Sequence, residues 1–370
     1  MRSGVEQGRW RDRFGGRREA PFNHAACRLR FDEWQPFRCD GRPALTALAG
    51  AASVIGKTRE DTMRIAIIGV GAMGSIYAGL LASAGHDVWA VDVWADHVAA
   101  MKEKGLRVEG ASGDRTVRLN ATSNAADVKD ADLVIIATKD DGVEAAARAA
   151  LAMAKPNAPI LTIQNGLGSA DKVAAVVGSK RIMMGVVGGF GASMKGPGHA
   201  HHNGMEFVRL GEMDGGMSPR LEQVAETWRS GGFKVLTFDD IHKMVWEKLI
   251  CNCTFSGTCA ITHLRVGEVM ANPSAWSIAS ACAAEAFHVA RARGIALDFN
   301  DPIAYVRAFG EKIPNARPSM LLDHLAGRKA EIDNINGAIP REGAKLGIAT
   351  PVNSMLVALL KAKEAGFGAK

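Results

Sequence analysis

Lys248, Asn252 and Ser256 stand four residues apart in a stretch, Met244 to Ser256, whose other side chains are mostly apolar. On a helix of about 3.6 residues per turn they form one narrow polar stripe. Leu249 and Cys253 flank it on one side and Met244 and Phe255 on the other, with Trp246 and Ile250 towards the back. A solvated helix face is normally broader and richer in charge. Burying an unpaired ammonium is costly, so a lysine confined to such a stripe is expected to meet a cleft or a partner. The plainer alternative is a lysine whose head reaches out to solvent.

A second constellation is Gly69-Val70-Gly71-Ala72-Met73-Gly74. Gly69 permits a tight turn, Gly71 lets the backbone approach a pyrophosphate, and Gly74 lets the following helix pack closely on the preceding strand. The helix start, from Ala72 and Met73, offers free N–H groups to an anion. GxGxxG alone is weak. Here Arg64 to Ile68 reads as a strand buried on both faces, a helix is predicted from about Ala72 to Ser83, and Asp92 ends the next strand 18 positions after Gly74. That context predicts a dinucleotide site, with Asp92 on a ribose hydroxyl; a glycine-rich turn without a ligand is the alternative.

The elements needed to position these residues follow a βα alternation. Leu133 to Thr138 reads as a buried strand, Gly142 to Met153 as an alanine-rich helix and Pro159 to Ile163 as another strand. Lys139 and Asn165 follow two strand ends, where ligands bind in open parallel sheets, and are expected as cofactor or substrate contacts. Each is otherwise an ordinary loop residue. His199, His201 and His202 invite a metal reading. His199 and His201 would share one strand face with His202 on the other, and no nearby carboxylate or cysteine has ligand spacing, so polar strand residues are the better reading. Asn203-Gly204 predicts a hairpin turn, with Met205 to Leu210 as the return strand.

After Asp239 helical periods take over. Residues 63–239 are therefore assigned to a dinucleotide-binding domain and 240–370 to a helical domain for substrate and dimerisation. Asn272-Pro273 is a helix start, asparagine as N-cap and proline at the first position. Its face of Trp276, Ala279, Cys282, Ala283, Ala286 and Ala290 is core. Glu331 borders a stripe of Ile332, Ile335 and Ile339, a position that is more often solvated than functional.

With 370 residues, two domains are the first expectation. Twelve of the 45 Lys and Arg and eight of the 39 Asp and Glu lie in residues 1–62, leaving the remainder nearly neutral at 33 and 31. That argues against a nucleic-acid partner. No apolar run approaches the roughly 18 residues of a membrane span. Six cysteines without a CxxC pair read as reduced thiols, and a cytoplasmic location is expected. Residues 1–62 are rich in Arg, Gly and Pro and carry no visible chemistry. They read as a disordered extension, or as a stretch preceding a true start at Met63.

From Met63 onwards the chain resembles the ketopantoate reductases (2-dehydropantoate 2-reductases). The likeness rests on GVGAMG at 69–74, ATK at 137–139, QNGLG at 164–168, PG at 197–198, VWEKLICN at 245–252, RPSMLLD at 317–323 and EIDNING at 331–337. The resemblance implies an α/β N-terminal Rossmann domain followed by an all-α C-terminal domain of the 6-phosphogluconate dehydrogenase C-terminal type, with the active site between them. It implies that Lys248 is the catalytic lysine, protonating a substrate carbonyl as hydride arrives. Asn252 would bind substrate, Ser319 its carboxylate and Glu331 its hydroxyl, with Asn165 near nicotinamide and substrate and Lys139 near the cofactor. Ser256 stands where better-known members have a second substrate-binding asparagine, which points to a different acid as an alternative substrate. NADPH is the family norm, but Val93 replaces the arginine common there, and Asp92 would repel a 2′-phosphate, which favours NADH. The expected activity is reduction of ketopantoate by NAD(P)H, in pantothenate synthesis. A D-2-hydroxyacid dehydrogenase is the second reading and a non-catalytic dinucleotide sensor the third; homodimerisation is left open.

Overall fold

The computed structural model describes residues 62–189, 191–204 and 207–368. The expectations for residues 1–61, including Cys27 and Cys39, lie outside the described residues.

Short β-branched runs supply the buried strands, and alanine- or leucine-rich periods supply the helices between them. In chain order these are β1 (Arg64–Ile68), α1 (Ala72–Ser83), β2 (Asp87–Val91), α2 (Ala95–Lys104), β3 (Leu106–Gly110), β4 (Arg115–Val117), β5 (Asn120–Thr122), β6 (Leu133–Ile136) and α3 (Val143–Met153). Then come β7 (Ile160–Thr162), α4 (Ser169–Val177), β8 (Ile182–Gly188), β9 (Gly191–Gly196), β10 (His199–Gly204), β11 (Phe207–Glu212), α5 (Pro219–Ser230) and β12 (Lys234–Phe238).

The main sheet runs β5-β2-β1-β6-β7-β8-β11-β12. Pairing is parallel throughout except between β8 and β11. β1 lies between β2 and β6, the point where crossovers leave in opposite directions, and the glycine turn follows it. That is where an open parallel sheet leaves a crevice at its carboxyl edge. A smaller sheet, β4-β3-β10-β9, packs against α1. One core holds α1, α5 and the small sheet on one face of the main sheet, with Tyr77, Trp228 and Phe233 meeting edge-on. Another holds α3, α4 and the start of the helix that begins at Ile241, on the opposite face.

From Ile241 only helices follow: α6 (Ile241–Thr262), α7 (Val266–Ala271), α8 (Pro273–Ala292), α9 (Pro302–Lys312), α10 (Ser319–Leu325), α11 (Ala338–Lys345) and α12 (Pro351–Glu364). Asn272 caps α8 by accepting from the Ser274 and Ala275 amides, and Pro273 is its first residue. Ala279, Ala283, Ala286 and Ala290 are fully buried, which lets α8 lie close against α6. Among the described residues no helix is long and apolar enough to cross a membrane.

Two sequence expectations are corrected. Asn203-Gly204 is not a hairpin turn. It is the end of β10, paired with β9 and β3, whereas β11 joins the other sheet. A two-residue turn of that type needs positive φ at both central positions, and neither residue has it. The tight connection lies instead at Pro197-Gly198, between β9 and β10. The Glu331-to-Ile339 period, in turn, is not one helix. Residues 332–337 form successive turns and α11 begins at Ala338, although Ile332, Ile335 and Ile339 are all buried.

Candidate active site

The glycine turn is tightly specified. Gly69 has φ +88°, and a Cβ built there would lie 2.6 Å from the Thr138 backbone nitrogen. A Cβ on Gly74 would run into the Gly69 carbonyl oxygen, so α1 can approach β1 only with glycine there. Gly71 is different: a Cβ there would meet nothing within 4 Å, so its backbone borders open space. No side chain caps the α1 N-terminus at Ala72 and Met73. Among the described residues the buried Thr138 Oγ1, beside the turn, has no hydrogen-bond partner. An open, uncapped cradle with an orphaned hydroxyl fits a pyrophosphate-bearing group. At the end of β2, Asp92 accepts from the Val70 amide (2.6 Å) and the Trp94 amide (2.9 Å), so it braces the turn as well as facing the crevice edge. Val93 beside it is 94 % exposed.

The loop after β7 carries Asn165. Gln164 pins that loop to the neighbouring strand end, donating to the carbonyls of Ile136 (2.8 Å) and Thr138 (3.3 Å). Gly166, at φ +83°, has no room for a Cβ because the Asn334 carbonyl lies against it. The Leu167 amide donates to that carbonyl at 2.8 Å, and Arg341 donates to the Leu167 carbonyl at 3.0 Å. The turns at 331–337 thus clamp the loop. Asn336 fixes them from the other side through Cys253 O (2.8 Å) and Asn353 Oδ1 (3.0 Å).

This clamp brings the sequence stripe to the loop. Lys248 Nζ on α6 donates to Asn165 Oδ1 at 2.7 Å, across 83 residues of sequence. Burial lowers the Lys248 pKa to about 8, against a raising effect from Glu331 and with a further lowering effect from Arg209. Burial pushes the Glu331 carboxyl up, opposed by Lys139, by a hydrogen bond with Asn165 and by Lys248. Lys248, Asn165 and Glu331 therefore form one polar cluster, and a lysine of lowered pKa is a workable proton donor near neutral pH.

The remaining expected residues are placed less directly. Asn252 is half-buried and Ser256 buried, one and two turns along α6 from Lys248. Ser319 is exposed at the first position of α10, which packs on α6. No hydrogen bond joins these three to the Lys248–Asn165 pair among the described residues. Lys139 is 57 % exposed and meets Asp323 at 3.3 Å. His199 and His201 do share a face, and β3 brings Glu109 to both, at 3.1 and 3.4 Å. That carboxylate lies 90 residues or more away in sequence, beyond the reach of a spacing argument. Among the described residues no group of three side chains could hold a metal ion.

Sequence reasoning assigned no role to Gln164, Asn334 or Asn336, although all three stand inside motifs it quoted. A polar residue bracketed by apolar ones in a buried stretch was the signal that could have found them. A cavity of about 220 Å³ lies behind the loop, lined by Thr162, Gln164, His242, Trp246 and Arg293 among others. Lys248, Asn252 and Glu331 do not line it.

A consequence for pH follows from Lys248. A proton donor must carry its proton, so with Lys248 in the role that the resemblance implies, kcat/KM for reduction is expected to fall as pH rises through about 8. The reverse oxidation, which needs the neutral amine, should speed up over the same interval. Profiles in both directions check this, and parallel rather than opposed slopes would contradict it.

Residues 65–215 match the family described as ketopantoate reductase PanE/ApbA, and residues 240–364 match its C-terminal region. A 2-dehydropantoate 2-reductase of Archaeoglobus fulgidus is 33% identical over 305 residues, covering 82% of this chain and 99% of that protein. Among solved structures, a PanE/ApbA family ketopantoate reductase from Ralstonia eutropha JMP134 superposes with TM-score 0.75 at 33% identity, covering 82% of this chain and 99% of that one. D-mandelate dehydrogenase, solved with NADH and anilino(oxo)acetate, is similar at TM-score 0.75 and 30% identity, covering 83% of this chain and all of that one (100%). The sheet and the helical region are thus both matched in order, by relatives covered along nearly their whole length, and the chain belongs to the ketopantoate reductase family of oxidoreductases.

Proposed function

We propose that this chain reduces ketopantoate to pantoate with a reduced nicotinamide dinucleotide, in a cleft between residues 63–239 and the helices from residue 240. The observation that carries this reading is the hydrogen bond from Lys248 to Asn165. It joins the helical stripe to the loop at the carboxyl edge of the sheet that bears the glycine turn.

The dinucleotide would be held by Gly69, Gly71, Ala72, Met73, Gly74 and Asp92, with Lys139 and Asn165 near it. When bound it supplies the hydride that reaches the substrate carbonyl carbon. Lys248 supplies the proton to the carbonyl oxygen, so that the C=O double bond becomes a C–OH, and the neutral amine is reprotonated from water. Asn165 holds the ammonium in place beforehand, which reduces the reorganisation needed at the moment of transfer. Asn252, Ser256, Ser319 and Glu331 would bind substrate, Ser319 at the carboxylate and Glu331 at the hydroxyl. The Glu331 carboxyl, pushed up by burial, suits hydrogen bonding to a hydroxyl group.

Two features favour a second reading, reduction of another 2-keto acid. Ser256 leaves more room than the asparagine common in the family, and D-mandelate dehydrogenase is as similar in fold as the reductases. We also assign NADH as the preferred donor. Asp92 stands where a 2′-phosphate would meet negative charge, and exposed Val93 offers no cation to offset it. Initial rates with ketopantoate, 2-ketoisovalerate and phenylglyoxylate, each with NADH and NADPH and followed by loss of nicotinamide absorbance, test both assignments. Ketopantoate with NADH is expected to be fastest. Negligible ketopantoate turnover beside rapid phenylglyoxylate turnover would transfer the assignment to the second reading.

A further inference from the structure

His97 is fully buried on α2, outside the residues assigned to catalysis or binding, and both of its ring nitrogens are engaged. Its Nδ1 accepts from the Gly198 amide at 2.8 Å. An imidazole nitrogen that accepts carries no proton, so the neutral ring must hold its proton on Nε2. That nitrogen lies 3.3 Å from Ser75 Oγ on α1, to which it donates. The Ser75 hydroxyl donates onward to the Val70 carbonyl at 2.9 Å. The Val70 amide, in turn, donates to Asp92 at 2.6 Å. The peptide units of the glycine turn are therefore held from both sides, by Asp92 through an N–H and by Ser75 through a C=O. The chain of bonds begins at the Pro197-Gly198 turn of the small sheet, a motif to which the reaction itself gives no role. Trp94 stacks on the same imidazole, ring centroids 5.1 Å apart.

We propose that His97 is a positioning residue for the dinucleotide: as the neutral Nε2–H tautomer it ties the glycine turn to the small sheet, and its protonation releases the turn and weakens cofactor binding. The inference rests on the dinucleotide reading of that turn. A protonated ring would point an Nδ1–H at the Gly198 N–H, two donors face to face, and the Gly198 bond would be lost. The groups facing the imidazole are the Asp92 carboxylate at the end of β2, the Trp94 ring, the Ser75 hydroxyl on α1 and the Gly198 amide. Of these only Asp92 is charged. Burial keeps the His97 pKa below its ordinary value, outweighing the opposing pull of Asp92 and the contact with the Val70 backbone. A base whose pKa is lowered on folding contributes full stability above its unfolded value and loses it as pH falls below that value. The turn is accordingly locked at neutral pH and released only on the acid side of the usual histidine range.

Calorimetric affinities for NAD+ and NADP+ between about pH 7.5 and 5, for the full chain, test this, because histidine is the side chain that ordinarily titrates there. In the unmodified protein the Kd is expected to rise about tenfold on acidification, the size of effect that about 1.4 kcal/mol produces. His97→Asn keeps an acceptor for Gly198 but cannot titrate, and its Kd should stay flat. Ser75→Ala cuts the link to Val70, so binding should be weaker at neutral pH with the acid effect lost. In unliganded protein the Val70 and Gly71 amide resonances should move with the midpoint of the His97 ring. Full acid weakening in both His97→Asn and Ser75→Ala, or turn amides that ignore the ring titration, would overturn the inference while leaving the cofactor reading intact. Absence of dinucleotide binding at every pH would overturn the cofactor reading and this inference together.

Discussion

Replacing Lys248 with alanine is expected to lower kcat for reduction by about 10²–10⁴-fold, the usual contribution of a positioned acid, while dinucleotide affinity changes by less than about threefold. The asymmetry follows from position. Lys248 reaches the site from the helical half and bonds Asn165, whereas the glycine turn and Asp92 are built from the other half of the chain. Loss of the ammonium removes the proposed proton donor and leaves the cradle untouched. Arginine should not substitute, since its guanidinium stays protonated and is a poor acid. Single-turnover rates with cofactor affinity measured separately are the check. Undiminished turnover in Lys248→Ala would exclude Lys248 as the proton donor.

The second large effect concerns the adenosine ribose. Asp92→Asn combined with Val93→Arg is expected to move the ratio of NADPH to NADH efficiency upward by on the order of a hundredfold. Two charges about 4 Å apart at an effective dielectric of about 20 interact by about 4 kcal/mol, so exchanging a repulsive partner for an attractive one leaves a large preference even after screening. Asparagine rather than alanine is the informative replacement, because Asp92 also accepts the Val70 and Trp94 amides. An alanine there would loosen the turn and depress binding of both cofactors, confusing two effects. Comparing kcat/KM for the two donors in both proteins decides it. An unmodified protein that already prefers NADPH would refute the role given to Asp92.

The order of elements was legible in the sequence because it rests on local patterns. The Ile-rich run before Gly69, the helix from Ala72 to Ser83 and the Asn272-Pro273 start of α8 all appear with those bounds or within a residue of them. So was the Lys248 stripe, since polar residues at four-residue spacing in a mostly apolar stretch of helix share one face, and Lys248 does meet a polar partner there. The failures share one cause. Asn203-Gly204 has the composition of a hairpin turn, yet strands on either side belong to different sheets, and strand pairing is a long-range choice that composition does not encode. The stripe of Ile332, Ile335 and Ile339 is buried as expected, but tight turns can bury the same residues that a helix would.

What the sequence determined by itself was the chemistry available: a glycine turn of the kind that takes a pyrophosphate, an aspartate ending the second strand, and a lysine in a narrow polar stripe on a mostly apolar stretch of helix. Residue types and short spacings are enough for that, because backbone geometry fixes neighbours within a turn or two. What only the tertiary structure decided was who meets whom. It put the Asn165 amide against the Lys248 ammonium, Asp323 against Lys139, and His97 between Gly198 and Ser75. Each of those contacts joins residues far apart in sequence that the fold makes adjacent, the first of them through the clamp at 331–337. Their energies depend on burial and directed hydrogen bonds, which exist only once the chain has folded.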